Sequence, residues 1–388
     1  MRTMRRRTVP DRLAVFDGLR GFAILLVIWY HVSLVSGYAV PSPGPLAAVW
    51  QNGFLGVDLF FFVSGFCICY PYARARHDGK PHPSTREFAR RRALKILPSY
   101  ALALVVFACV FHAHFASAGD ELADLGAHLA FLHTWYWPYY GAFSGPLWTL
   151  GVEVQFYVVF AALAGTIRRR PLGMYAAFVI ASLAYRFGLM LFGVDADFGW
   201  VNQLPGVLDL FGAGMMTSFA YVEMREDRRP DPRIASSFAI VAAAAMFLGL
   251  QALSGAHARG DDDMHRWLNL GRTAIGPLLA VFTLGTAFGV PALRAAVTWK
   301  PLTLLSIVSY NAYLWNLELS VAVANAGVSA PVAFVVGIVL TLAVSTGLTY
   351  AFERPILRGA LDAAWTSIVR PLAGLVFVGG RRSRTGEV

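Results

Sequence analysis

Apolar runs of about twenty residues recur along the whole chain, with short polar segments between them. Such a run is the length an α-helix needs to cross the hydrocarbon of a bilayer. The pattern predicts ten helices, over 13–36, 50–72, 94–115, 146–167, 172–192, 205–222, 234–253, 267–289, 302–325 and 330–352. Residues 117–144 are aromatic and only moderately apolar. Trp and Tyr favour membrane interfaces, so this stretch reads as an interfacial or re-entrant segment, not a span. The expected fold is all-α: a polytopic membrane protein of about ten transmembrane helices.

Charge supplies the orientation. Of the 33 Lys and Arg, 28 fall in segments that the ten-helix pattern puts on one side. Only Arg259 and Arg266 fall in segments on the other, and Arg20, Arg186 and Arg272 fall inside spans. Positive residues stay in cytoplasmic loops, so both termini are expected in the cytoplasm and the protein in the cell inner (plasma) membrane. The 57% hydrophobic and 14% charged composition agrees. A net charge of +10 does not here point to nucleic acid, because the charge sits in short loops. The N-terminal arginines and the first apolar run imitate a signal peptide. That run holds Arg20 and His31 and ends without a clear cleavage site, so it is expected to be a retained span. Residues 1–355 read as the membrane domain and 356–388 as a cytoplasmic tail. Cys67, Cys69 and Cys109 lie in apolar runs and read as small core residues.

Ionisable residues inside spans are costly and mark function by default. Arg20 and His31 are eleven residues apart, which is about three helical turns, so they share a face roughly 16 Å apart along the axis. Asp58 in the second helix and Glu153 in the fourth are expected at a depth similar to His31, towards the outer side. Such a layer suits acid–base catalysis or proton handling. Arg20, Arg90, Arg91, Arg92 and Lys95 gather at the inner surface and form a site suited to phosphates. Asp209 reads as a structural partner of Arg186 or Arg272, and Glu318 as similar glue. Ser64-Gly65 reads as close helix packing. His128 and His133 read as interfacial. His112 and His114, two residues apart, are poorly spaced for a metal on a helix, and no metal is expected. GVLDLFGAGM follows no strand and is not a nucleotide fingerprint.

Several motifs resemble, in order, those of the integral-membrane acyltransferase-3 family. They are Asp17-Gly-Leu-Arg20-Gly with His31, Gly56-Val-Asp58-Leu-Phe-Phe with Ser64-Gly65, and Arg91-Arg92-Ala-Leu-Lys95-Ile-Leu-Pro98-Ser-Tyr100. Trp148-Thr-Leu-Gly-Val-Glu153-Val-Gln-Phe156-Tyr157, Ser309-Tyr310-Asn-Ala-Tyr313-Leu-Trp-Asn316 and Phe352-Glu-Arg-Pro355 follow. The resemblance covers about 13–355. Two positions depart from the family's pattern: Asn316 stands where His is common, and Lys95 where Arg is more usual. The chain also resembles the stand-alone members, which carry no fused extracytoplasmic hydrolase-like domain.

The resemblance implies an O-acyltransferase that moves an acetyl or short acyl group from acyl-coenzyme A, most simply acetyl-coenzyme A, to a hydroxyl. The acceptor would be a glycan or a glycosylated small molecule such as a macrolide antibiotic. The donor's phosphates would meet Arg20 and the Arg90–Lys95 cluster. His31 would act as general base, oriented by Asp58 or Glu153, with an acyl-His relay as the competing route. Trp148, Tyr157, Tyr310 and Asn316 are the candidates for shaping the substrate pocket. The aromatic stretch Trp135–Tyr140 is expected to stack on sugars. Arg outnumbers Lys thirty to three, a compositional hint of a GC-rich bacterial genome. The alternative class is a proton-coupled transporter, against which stands the lack of matching halves.

Overall fold

The structure is a computed structural model. It describes residues 13–38, 44–110, 118–195 and 197–360. The arginines before residue 13, His112, His114 and the tail beyond 360 lie outside the described residues.

The helices are α1 (Ala14–Ser36), α2 (Ala47–Gln51), α3 (Gly56–His77), α4 (Thr85–Cys109), α5 (Ala118–Leu129), α6 (Trp148–Arg169) and α7 (Pro171–Leu191). They continue as α8 (Phe198–Val201), α9 (Leu204–Glu226), α10 (Pro232–Arg259), α11 (Asp261–Phe288), α12 (Pro291–Val297), α13 (Lys300–Asn325) and α14 (Ala330–Leu348). The described residues contain no strand. Eight helices, α1, α3, α4, α6, α7, α10, α11 and the α14 segment, are long and apolar enough to cross a membrane. The other two long helices, α9 and α13, are less apolar for a physical reason. They run inside the protein, where polar side chains find partners: α9 buries Asp209 and α13 buries Asn311 and Asn316.

The long helices fall where the apolar pattern put them, with shifted ends. The largest shift is at α4, which begins at Thr85 and not near 94, so Arg86 to Arg92 ride on a helix and not in a loop. Ser84 caps it by accepting from the Glu87 amide at 3.2 Å. Ser84-x-x-Glu87 is a helix-start signature that outranks the local polarity. α3 likewise runs on to His77, and α10 to Arg259. Of the 117–144 stretch, the described residues 118–144 form the short helix α5 and a series of 3-10 turns, with no span among them.

Two ends of the bundle are distinct. At the basic end, Arg76 donates to the Arg168 carbonyl at 3.0 Å, Arg74 pairs with Glu226, and His77 meets Asp227 at 3.2 Å. At the aromatic end, Gln203 donates to the Thr134 carbonyl, Asn52 to Ser254 at 2.8 Å, and Gln251 to the Pro45 carbonyl at 2.6 Å.

Close backbone approach sets the packing around the site. α1 packs on α13, and α3 on α9. A methyl at Gly21 would overlap the Leu302 carbonyl, and one at Gly65 the Phe211 carbonyl. Small residues let helices approach in this way inside membranes. Gly21 adjoins Arg20, and Gly65 adjoins Ser64, so both contacts position site residues.

Candidate active site

α1, α3, α4, α6 and α13 enclose a cavity of about 180 Å³. Arg20, Arg92 and Lys95 line one part of it, and Ser64, Glu153, Tyr157, Thr149, Tyr310 and Tyr313 another. Arg20, Lys95 and Ser306 also line a second cavity that includes Asp17, Glu353 and Arg354, so the two join at these residues. The route thus leads from the basic end into the bundle.

Each cation in the predicted anion site has its own standing. Among the described residues, Arg20 donates to the Cys67 thiol, at 3.8 Å. The Arg92 guanidinium lies over the Phe88 and Tyr157 rings at 5.9 and 5.4 Å. Lys95 pairs with Glu353, and Asn311 donates to the other Glu353 oxygen at 2.9 Å. Arg91 bonds Glu87 at 2.6 Å and Arg90 bonds it at 3.4 Å. Arg90 and Arg91 line neither cavity, because the early start of α4 turns them away. The cavity cations are therefore Arg20, Arg92 and Lys95.

Glu153 accepts from the Ser64 hydroxyl at 2.5 Å and from the Tyr157 hydroxyl at 2.6 Å. The Tyr310 hydroxyl donates to the Ile96 carbonyl at 2.8 Å, which seats its ring beneath Lys95. Thr149 and Tyr313 join hydroxyls at 2.9 Å.

His31 is held by neither carboxylate expected to hold it. Its Nδ1 lies 2.5 Å from the Asn316 Oδ1. The Asn316 amide nitrogen donates to the Ala312 and Tyr313 carbonyls at 3.0 and 2.7 Å, so its oxygen must face the ring. An oxygen acceptor there requires a proton on Nδ1. Nε2 is left with its lone pair free, the tautomer a general base needs. Asn316 lies one turn beyond the cavity-lining Tyr313 on α13, and neither it nor His31 lines either cavity.

Asp58 departs from its expected role. It is 1% exposed and pairs with Arg272 of α11, Oδ2 to Nε at 3.0 Å, away from the cavity lining. A buried guanidinium demands an anion, and Asp58 supplies it. Asp209 is claimed by Arg186 through two bonds of 2.9 and 2.8 Å, so the structural pairing expected for it holds with Arg186. Trp148 also departs: it packs against Phe61, Tyr140 and Phe198, while its neighbours Thr149 and Leu150 line the cavity. Ser64, Thr149, Tyr313 and Glu353 were not singled out for the site. All four lay inside quoted motifs, Thr149 directly beside Trp148. Among the described residues no group of three His, Cys, Asp or Glu is arranged to hold a metal.

Outside the spans, α5 carries a buried cluster. His128 Nδ1 meets Asp124 at 2.8 Å and its ring stacks on His133 at 3.9 Å. His133 Nε2 donates to the Leu147 carbonyl at 3.2 Å, tying this cluster to the start of α6. Burial pushes His128 down to about 3, with the neighbouring His133 adding to the effect, and His133 down to about 4. Burial also raises Asp124 to about 7. His128 is therefore neutral near pH 7, and the contact is a hydrogen bond and not an ion pair.

Fold and site together define a polytopic, all-α membrane protein with a cationic cavity inside the helix bundle. The acyltransferase domain model matches residues 13–350, and the chain belongs to the acyltransferase-3 family. It is 25% identical over 383 residues to the O-acetyltransferase OatA of Staphylococcus aureus (strain NCTC 8325 / PS 47), a match covering 91% of this chain and 58% of OatA. It is 29% identical over 174 residues to the putative peptidoglycan O-acetyltransferase YrhL of Bacillus subtilis (strain 168), covering 41% of this chain and 24% of YrhL. Protein 2 in the picA locus of Rhizobium radiobacter is 31% identical over 102 residues, 26% of this chain and 47% of that protein. The chain thus spans under three fifths of the OatA length. No solved structure gives a significant match.

Proposed function

We propose that the protein is a membrane-embedded O-acyltransferase that takes an acyl group from acyl-coenzyme A, bound from the cytoplasmic side, and passes it to an acceptor hydroxyl. The observation that carries this reading is the His31–Asn316 pair, which leaves Nε2 free as a base, three turns along α1 from the cavity cation Arg20. The basic end is the cytoplasmic end on the charge argument, in the inner membrane of a bacterial cell. Donor phosphates meet Arg20 and Arg92 there, and Lys95 once it leaves Glu353. The pantetheine arm follows the cavity past Glu153 and Tyr310 towards His31.

In the transfer, Nε2 of His31 takes the acceptor proton as its oxygen attacks the thioester carbonyl. The C–O bond forms, the C–S bond breaks, and the proton passes to the departing thiolate. Tyr313 and Thr149 hydroxyls line the cavity and could turn from the Pro146 carbonyl to donate to the developing oxyanion. The named relatives make acetyl the first acyl group to test and a cell-wall glycan the first acceptor class. A macrolide-type acceptor is a narrower option.

The test is binding and turnover of acetyl-coenzyme A by purified protein in detergent. Arg20→Ala is expected to weaken donor binding about 10-fold or more, since a charge-assisted contact is worth about 1.5–3 kcal/mol. His31→Ala is expected to keep donor binding and lose about 10²–10⁴-fold in turnover. Wild-type turnover by His31→Ala would remove the base from this reading, and no donor binding at all would remove the donor.

A further inference from the structure

A further cavity of about 430 Å³ lies at the basic end, between the first turn of α1, the ends of α9 and α11, and α12. Arg225, Arg229 and Arg294 line it, with Phe16, Tyr221 and Phe288 as its aromatic wall. We propose that this cavity binds the headgroup phosphate of an anionic phospholipid from the cytoplasmic leaflet. None of its three arginines lines the two cavities of the candidate active site, so the proposal stands apart from the acyl-transfer reading.

Charge decides that the ligand is an anion. Three guanidinium groups meet in a cavity whose lining holds no Asp or Glu. Other cations at this end are matched: Arg74 with Glu226, Arg91 with Glu87, and His77 with Asp227. Arg225 meets Glu226 at 3.5 Å, but Arg74 shares that carboxylate. Arg229 makes no hydrogen bond or ion pair among the described residues. Arg294 is the clearest case. Its Nη2 donates to the Gly289 carbonyl at 3.1 Å, which holds the guanidinium at the end of α11, while its Nε is buried without an acceptor. A buried donor left unmet costs free energy, and a buried charge needs a partner. A phosphate supplies both, because its oxygens match the planar guanidinium fork. The Tyr221 hydroxyl, which has no hydrogen-bond partner among the described residues, adds a neutral donor.

Place and lining decide that the phosphate belongs to a lipid. α10 and α11 are apolar enough to cross the membrane and turn most of that apolar length outside the protein, towards lipid. The cavity sits where α11 ends, at the depth of the headgroups on the cytoplasmic side. Basic pockets between membrane helices on that side are suited to phospholipid headgroups. Leu13, Val15, Ala287 and Phe288 give the cavity an apolar side, against which the first carbons of a lipid chain can lie. A nucleotide would need partners for its ribose and base, and the lining offers no Asn, Gln, Ser or Thr. The wall is also preset. Phe16 stacks on Phe66 at 3.4 Å, and the Tyr221 ring lies 6.1 Å from Phe16 and 5.3 Å from Phe288. Leu13, Ala14 and Phe16 also line the inner cavity that holds Arg20, so a lipid bound here braces the start of the helix that carries that cation.

The experiment is native mass spectrometry and thermal unfolding of the full chain, delipidated in detergent and titrated with lipid. The probes are dioleoyl phosphatidylglycerol and, as the zwitterionic comparator, dioleoyl phosphatidylcholine. Inorganic phosphate and adenosine bisphosphate are the soluble competitors. Wild type is expected to bind phosphatidylglycerol about tenfold or more tightly than phosphatidylcholine and to melt at a higher temperature with it, since each arginine at a membrane surface contributes roughly fivefold. Arg229→Gln is expected to weaken phosphatidylglycerol about fivefold, and the triple variant Arg225→Gln, Arg229→Gln, Arg294→Gln by about tenfold or more, with phosphatidylcholine unchanged. Arg228→Gln, at an exposed position outside the cavity, is expected to leave phosphatidylglycerol affinity as it is, which separates a site from general surface charge. The melting temperature without lipid reports folding. Arg229→Gln breaks no contact among the described residues, so it decides the matter even where the triple variant fails to fold. Equal binding of the two lipids by wild type, wild-type phosphatidylglycerol affinity in Arg229→Gln, or an equal loss in Arg228→Gln would each overturn the proposal. So would displacement of phosphatidylglycerol by equimolar phosphate or adenosine bisphosphate, which would make the ligand a soluble one.

Discussion

Asn316→Ala is the sharpest perturbation of the site. In the native protein one carboxamide does three things: its nitrogen donates to two carbonyls of its own helix, and its oxygen fixes the His31 proton on Nδ1. Alanine removes the acceptor and leaves that N–H without a partner in a half-buried place. An unmet polar group there costs about 1–3 kcal/mol, which is roughly 5–150-fold in an equilibrium. The loss falls on the population of the productive tautomer and ring orientation, so turnover should drop by that factor. Donor affinity should stay, because Arg20 and Arg92 line the cavity and Asn316 does not. Asn316→His restores a ring in place of the amide and is expected to recover part of the rate, since this family commonly places His there. The assay is steady-state transfer from acetyl-coenzyme A with donor Kd measured on the same samples. An Asn316→Ala protein that turns over at the wild-type rate would refute the orienting role, and with it the argument that Nε2 is the base.

The buried pair Asp58–Arg272 makes a stability prediction. Arg272→Met alone strands a buried carboxylate and is expected to cost about 3–5 kcal/mol, while Asp58→Asn with Arg272→Met should recover most of that. Thermal unfolding in detergent reads both, and a double variant no more stable than the single one contradicts the structural role. If the double variant also keeps acyl transfer, Asp58 has no part in catalysis. The α5 cluster makes a pH prediction. An unfolded His takes its proton near 6.5, whereas His128 and His133 resist it until about 3 and 4. Acidification from 6.5 to 4 therefore favours the unfolded segment by two protons, offset by one at Asp124, which is protonated below about 7 when folded. The net loss is on the order of 1.4 kcal/mol per pH unit over that window. Hydrogen exchange across 118–135 should accelerate on acidification, and less so in His133→Asn; exchange independent of pH, after correction for the intrinsic rate, contradicts it.

Much of the fold was legible because membrane helices announce themselves by length and hydropathy, and that signal needs no tertiary knowledge. It weakened where protein replaced lipid as the surroundings. α9 and α13 are polar enough to escape the composition test, yet they sit against α3, α7, α11 and α1. The α4 start was missed because six charged residues from Arg86 to Lys95 look like a loop, while the Ser84 cap is a two-residue signal. At the site, helical spacing put Arg20 and His31 on one face. Depth alone then grouped His31 with Asp58 and Glu153. Depth is one coordinate of three: Asp58 points to α11 and Glu153 to Ser64 and Tyr157.

The departure at Asn316 shows why this matters for mechanism. A carboxylate beside His31 would share the ring's proton and stabilise a positive imidazole. An amide offers the same oxygen geometry without the charge, and its nitrogen is committed to the α13 backbone, so it cannot flip to present a donor. If His31 is the base proposed above, orientation is thus separated from charge stabilisation there. Glu153, the one carboxylate in the cavity lining, bonds two hydroxyls instead. In such a site the proton taken by His31 has no fixed anion beside it to hold it there. It is returned readily, and the departing thiolate is the group that needs it. A neutral orienting partner therefore suits direct transfer, in which the base carries its proton for one step only.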